Sequence, residues 1–97
     1  MLRWEPPHDP NETETREVGF EDRLATGETI ASATWTTTPS GGSHLTQVSS
    51  SASADGLGAV WRFSGGVVGT WYEIVCRATT SAGNVLEETI ILRCEAR

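Results

Sequence analysis

The strongest constraint on the fold is an alternating segment that lies between two groups of glycines. The sequence TWYEIVCRATT, residues 70–80, alternates from one side chain to the next, with Gly65, Gly66 and Gly69 before it and Gly83 after it. Alternation with a period of two is typical of a β-strand with one buried face, and glycine supplies the positive φ of tight turns. The segment predicts a strand of a β-sandwich that is entered and left through sharp turns.

Residues 85–95 predict the strand that returns from the second turn. A tight turn at residues 81–84 would place Tyr72 opposite Cys94, although a register deduced from one assumed turn can slip by one residue. The core face would then hold Tyr72, Ile74, Cys76, Ala78, Ile90, Leu92 and Cys94. The outer face would hold Trp71 and the cross-strand pairs Glu73–Arg93 and Arg77–Glu87. We expect the Tyr72 hydroxyl to bond the backbone of the preceding loop.

Four weaker segments predict the other strands, at residues 18–21, 28–36, 44–49 and 59–64. In the second of them Ile30 and Trp35 have opposite parity, which indicates either a β-bulge or a strand buried on both faces. In the last, Ala59, Trp61 and Phe63 share one face. Glycine- and serine-rich loops separate these segments.

Residues 1–15 contain three of the four prolines and show no periodicity. Proline fixes φ and removes a backbone donor, so we predict an extended N-terminal arm, followed by the sandwich domain at residues 16–97. Trp4 lies in this arm. Its ring either binds a partner surface or folds back on its own domain.

Composition limits the function further. The chain of 97 residues has a net charge of −6, which argues against binding to a nucleic acid backbone. No run of apolar residues is long enough to predict a membrane span. The N-terminus has no apolar signal core, so we expect synthesis in the cytoplasm. Thr and Ser are frequent and lysine is absent, a composition that favours an all-β fold over a helical one.

The residues that could carry chemistry do not form a recognisable catalytic or metal site. In the predicted register Cys76 and Cys94 are offset by about four residues, too far for a disulfide, so two buried free thiols are the preferred interpretation. An intermolecular disulfide through Cys94 is a further possibility. His8 and His44 lack the spacing of a zinc site and an adjacent nucleophile. We therefore expect no enzymatic activity, no cofactor and no metal.

Three segments resemble the phage fiber-tail adaptor proteins, small tail-associated proteins of tailed bacteriophages. These are FEDRLATGETIASATWT, VWRFSGGVVGTWYEIVCRATTSAG and EETIILRCEAR. The resemblance covers about residues 18 to 95 and implies an immunoglobulin-like β-sandwich. Most of the matching residues, including Trp35, Trp61, Gly66 and Tyr72, occupy core or turn positions, so they bear on the fold more directly than on the function.

The resemblance implies a structural virion protein at the neck or tail that joins the connector or tail to fibers or a collar. Its partners would be other phage structural proteins (portal, adaptor, tail or fiber proteins), with several copies on a ring. The predicted interface residues are Trp4, Trp71, Arg77 and Arg93, since tryptophan and arginine are enriched at protein interfaces. The alternative is an immunoglobulin-like recognition module that binds carbohydrate or a host surface.

Overall fold

The computed structural model describes residues 1–96 and consists of two β-sheets packed around one core. The strands are β1 (Leu2–Arg3), β2 (Glu14–Gly19), β3 (Ile30–Thr38), β4 (Thr46–Ala52), β5 (Gly58–Ser64), β6 (Trp71–Thr80) and β7 (Val85–Arg93). A single 3-10 helical turn, Glu21–Arg23, follows β2. One sheet has the strand order β1-β7-β6-β3 and the other the order β2-β5-β4. The all-β prediction is confirmed.

The core lies between the sheets and follows the predicted alternation. Tyr72, Ile74, Cys76 and Ala78 on β6 are fully buried, as are their β7 neighbours Ile90 and Leu92. On the opposite sheet Ala59, Trp61 and Phe63 are buried along one face of β5. Burial of aliphatic and aromatic side chains stabilises such a fold by roughly 25 cal/mol for each Å² of apolar surface removed from water. The predicted core faces of β5, β6 and β7 are confirmed.

The register of the β6–β7 hairpin differs from the predicted one by two residues. Tyr72 lies opposite Leu92, not opposite Cys94, and Trp71 lies opposite Arg93. The reason is a three-residue loop at residues 81–83, closed by hydrogen bonds from Thr80 N to Asn84 O (2.8 Å) and from Gly83 N to Thr80 O (3.0 Å). Gly83 has φ +84°, the left-handed position that such a loop requires. A shift of two residues keeps every side chain on its predicted face.

Of the two alternatives for β3, a β-bulge or burial on both faces, the structure shows the β-bulge. The pairing of β3 with β6 shifts register between Ile30 and Ser32. This shift lets buried Ile30 and half-buried Trp35 both face the core although their sequence positions have opposite parity.

The predicted arm, residues 1–15, is not separate from the domain. Residues 14 and 15 begin β2, and residues 1–13, which we call the N-terminal segment, are attached to β7. Leu2 and Arg3 pair in parallel with Ile90 and Ile91 of β7, and the Trp4 nitrogen donates to the Ile91 carbonyl at 3.0 Å. Further along, His8 pairs with Cys94. Prolines interrupt a regular ladder, but they leave enough backbone donors to attach the segment to β7.

Candidate functional site: the exposed β6–β7 face and the contacts that support it

The loop that precedes β6 is held from beneath by a buried tyrosine. The Tyr72 hydroxyl accepts a hydrogen bond from the Val67 backbone nitrogen at 2.9 Å and lies 2.6 Å from His44 Nδ1. Gly69 N donates to the carbonyl of Cys94 at 2.8 Å. The predicted bond between Tyr72 and the preceding loop is confirmed, and the entry to β6 is thereby held in one conformation.

Trp71 begins β6 on the outer face and lies between two arginines. Its side chain is 43% exposed. The guanidinium carbon of Arg3 is 4.8 Å from the ring centroid and that of Arg93 is 5.2 Å from it, within the range of a cation–π contact. The two guanidinium groups pair with Glu5 (2.5 Å) and Glu95 (2.6 Å). The result is a partly exposed indole ring that two guanidinium groups contact.

Of the four predicted interface residues, two meet on this face and one lies further along it. Trp71 and Arg93 are directly opposed across β6 and β7. Arg77 is exposed on the same face, six residues along β6 and opposite Glu87. The predicted Glu73–Arg93 pairing is wrong, because in the observed register Glu73 lies opposite Ile91.

The fourth predicted interface residue, Trp4, is part of the core. Its side chain is 8% exposed. Its ring stacks on Phe63 with centroids 5.9 Å apart and planes 6° from parallel, and it contacts Trp35 at 6.1 Å and Trp61 at 6.5 Å. The ring therefore folds back on its own domain, which was one of the two alternatives. Trp4 stabilises the fold and is not a surface residue of this chain.

After Trp4 in the sequence, a buried polar network around His8 attaches the N-terminal segment to the rest of the domain. His8 is fully buried, with Nδ1 2.5 Å from Glu14 Oε2 and Nε2 2.9 Å from the Gly65 carbonyl oxygen. Each ring nitrogen thus lies within hydrogen-bond distance of an oxygen atom. Burial raises the pKa of the Glu14 carboxyl, but the hydrogen bonds from Arg16 and His8 outweigh it, and the net pKa is below its usual value.

A second network ties the start of β3 to the β6–β7 hairpin. The Glu28 carboxylate accepts hydrogen bonds from Thr80 Oγ1 at 2.5 Å, from Ala25 N at 2.9 Å and from Asn84 Nδ2 at 2.9 Å. These bonds, that from Thr80 first, lower the pKa of Glu28 below its usual value. Sequence reasoning missed both networks. Gly65 lies more than fifty residues from His8, and Thr80 and Asn84 lie more than fifty residues from Glu28, so these contacts leave no local pattern.

The cysteines, the possible metal ligands and a cleft of the described residues bear on what the chain could bind. The two cysteines are buried and free, as preferred from the sequence, and burial raises the pKa of Cys76 to about 12. Within residues 1–96 no three His, Cys, Asp or Glu side chains gather to hold a metal ion. A shallow cleft of about 390 Å³ beside Phe20 is lined by the charged side chains of Glu21, Asp22, Arg23 and Glu88. Among residues 1–96, no helix has both the length and the apolar character that a membrane span requires.

These features describe a small β-protein but do not identify its family, which comparison with known family models does. The family model described as podophage GP4 fiber-tail adaptor protein gp77 matches residues 8–93. The chain belongs to this family. The resemblance seen in the sequence is confirmed. No curated protein matches the chain.

Membership of the fiber-tail adaptor family makes the chain a structural tail protein of a bacteriophage. Such an adaptor binds other phage structural proteins and belongs to the virion. The family is a structural one and not typically enzymatic. The matched region includes Trp71, Arg77 and Arg93, whereas Trp4 lies before it.

Proposed function

We propose that the chain joins the connector or tail of a tailed phage to its fibers or collar through protein–protein contacts at the neck or tail. The observation that carries this proposal is the family match over residues 8–93. Its partners would be portal, adaptor, tail or fiber proteins. Because fibers repeat around the tail axis, we infer several copies on a ring, made in the host cytoplasm and incorporated during assembly.

We also propose an immunoglobulin-like fold, which the strand order supports. In a constant-type immunoglobulin domain, strands B, E and D are neighbours in one sheet and C, F and G in the other. The orders β2-β5-β4 and β3-β6-β7 correspond to these two sets. The bond from Val67 N to the Tyr72 hydroxyl resembles the tyrosine corner at the start of strand F in such domains.

The outer face of β6 and β7, with Trp71, Arg77 and Arg93, is the proposed contact surface. Three properties support it. Trp71 is large and 43% exposed, the loop before it is held by Tyr72, and guanidinium groups lie against its ring. A preorganised tryptophan loses little conformational entropy on binding, and tryptophan and arginine dominate binding energy at interfaces.

The location is tested by quantifying the protein in purified phage particles by mass spectrometry. The proposal predicts that the chain copurifies with full particles and with tails, at a copy number comparable with that of the fiber protein. A copy number comparable with that of the major capsid protein would indicate head decoration and contradict the proposal. Absence from particles would also contradict it.

The contact surface is tested by complementing a phage that lacks this gene with variant chains. Trp71→Ala and Arg93→Ala should each reduce the fiber content of particles while the purified variants stay folded by circular dichroism. Arg62→Ala, which removes an exposed arginine from β5 of the other sheet, is the matched control and should leave fiber content unchanged. Normal fiber content in the Trp71→Ala and Arg93→Ala particles would show that this face is not the interface.

A further inference from the structure

One long part of the sequence contains no Asp, Glu, Lys or Arg. Residues 29–54 include none of the 7 basic and none of the 13 acidic residues of the chain. This part forms β3, the connection that follows it, and β4. All the formal charge, a net −6, is therefore carried by the rest of the molecule.

The structure brings these uncharged residues together on one side. β3 pairs only with β6, and β4 only with β5, so each is the edge strand of its sheet in the part of the chain that the structure describes. The two edges meet: Trp35 Nε1 donates to Ser50 Oγ at 2.8 Å, and Ser50 Oγ donates to the Ala33 carbonyl at 3.3 Å. We call β3 and β4 together the uncharged flank. On the outer face of this sheet, charged side chains occur on β6, the strand next to β3, where Arg77 lies opposite Thr34.

The edge strands on the opposite side of the molecule are short or charged, whereas those of the uncharged flank are long and uncharged. On the opposite side the edge strands are β1, which is two residues long, and β2, which carries Glu14, Arg16 and Glu17. Short strands and charged side chains are the usual means of preventing edge-to-edge association. On the uncharged flank β3 has nine residues and β4 has seven, with no charge and no proline in either.

The exposed side chains of the uncharged flank suit contact with an identical surface. Ser32, Thr34 and Thr36 are exposed along β3, and pairs of Thr and Ser across neighbouring strands stabilise a sheet. Between Gln47 and Ser49 the pairing of β4 with β5 shifts register. The intervening Val48 is 53% exposed, so it offers an apolar contact at the edge.

We propose that the uncharged flank binds a second copy of this chain, edge against edge, to form a symmetric dimer. Chains with a net charge of −6 repel one another when their charged surfaces approach, and contact through this flank brings no ionised side chain of β3 or β4 near its counterpart. A symmetric contact requires a self-complementary surface, which an uncharged surface of Ser, Thr and Val provides. This inference does not depend on the proposed function, because purified chain suffices to test it.

The test is sedimentation of the purified chain at increasing concentration, with charges placed on each side of the molecule. The wild-type mass should rise from monomer to dimer. Thr36→Glu and Val48→Glu should each raise the dissociation constant roughly tenfold or more, since they place like charges together in the dimer. Thr15→Glu adds the same charge to exposed β2 on the opposite side and should associate like the wild type. Two variants on different strands guard against a folding defect in one of them.

Amide hydrogen exchange locates the contact. At high concentration the amides of β3 and β4 should exchange more slowly than in dilute solution, whereas those of β2 should not change. A wild-type mass that stays monomeric up to about 1 mM would overturn the proposal. So would an equal loss of association in Thr15→Glu, or slower exchange in β2 in place of β3 and β4.

Discussion

The hydroxyl oxygen of Tyr72 lies 2.9 Å from the backbone nitrogen of Val67, so a fully buried phenol holds a loop whose valines face solvent. Tyr72→Phe keeps the ring in the core and removes the acceptor, leaving the Val67 N–H without this bond. We expect the free energy of unfolding to fall by about 1–3 kcal/mol, measured by denaturant titration. Thr46→Val, which removes an exposed hydroxyl bonded to the His44 carbonyl, should change it much less. Equal stabilities for Tyr72→Phe and wild type would contradict this role.

Trp4→Ala should destabilise the domain strongly. It removes a ring that stacks on Phe63 and contacts Trp35 and Trp61, and the cavity it leaves costs about 3–5 kcal/mol. Leu2→Ala is the control, because Leu2 is 39% exposed on the same segment, and it should cost far less. An intact melting temperature in Trp4→Ala would mean that the N-terminal segment does not contribute to the core in solution.

Alanine substitutions at Gly66 and Gly69 should distinguish the cost of a steric clash from the cost of backbone strain. Both have positive φ, +110° and +85°, which strains any other residue. A Cβ at Gly66 would lie 2.9 Å from Cys94 Sγ and 3.2 Å from Leu45 Cδ2, whereas a Cβ at Gly69 meets no atom within 4 Å. Thermal melting should show that Gly66→Ala is less stable than Gly69→Ala. Equal melting temperatures would show that the core around Cys94 yields to a methyl group without cost.

Acid should destabilise the fold through Glu28 and Glu14. Their pKa values are lowered in the folded state from 4.5, so their stabilising contribution is present above about pH 4.5 and is lost as the pH falls through the lower folded pKa values. In Glu28→Gln the unfolding free energy should depend less on pH below 4.5 than in the wild type. Asp22→Asn, in the exposed helical turn, controls for net charge. Parallel pH profiles for wild type and Glu28→Gln would contradict the assignment.

The two thiols should be unreactive in the folded protein. Burial raises the pKa of Cys76 to about 12 and also raises that of Cys94, and only the thiolate attacks a disulfide reagent. At pH 8 we expect negligible labelling of the native chain by a chromogenic disulfide and labelling of both cysteines in denaturant. Rapid labelling of either cysteine in the native state would show that the core opens around it.

The strand faces could be predicted from the sequence, because alternation reports directly which side chains a sheet buries. The burial of Tyr72 and Trp61 followed from it, as did the bulge near Ile30. The hairpin register did not, because it depends on which residues form the loop, and the bond from Thr80 N to Asn84 O that decides this appears only in the structure.

The position of the N-terminal segment could not be derived from local pattern. Its partners are distant in the sequence: Trp4 meets Phe63, and His8 meets Gly65 and Cys94. The candidate contact surface was predicted in part. Trp71 and Arg93 were assigned to the outer face of the hairpin, whereas Arg3 reaches the same ring only because β1 pairs with β7.

The parallel pairing of β1 with β7 has a consequence for how the chain folds during synthesis. Residues 2–8 emerge from the ribosome early, yet their partners at residues 90–95 emerge last among the described strands. Until then no β7 backbone is available to hold Trp4 against Phe63. Closing a loop between residues about ninety positions apart in the sequence is slow. During synthesis the indole of Trp4 would therefore lack its β7 support until residues 90–95 have been made, which makes this strand pairing a late step of folding.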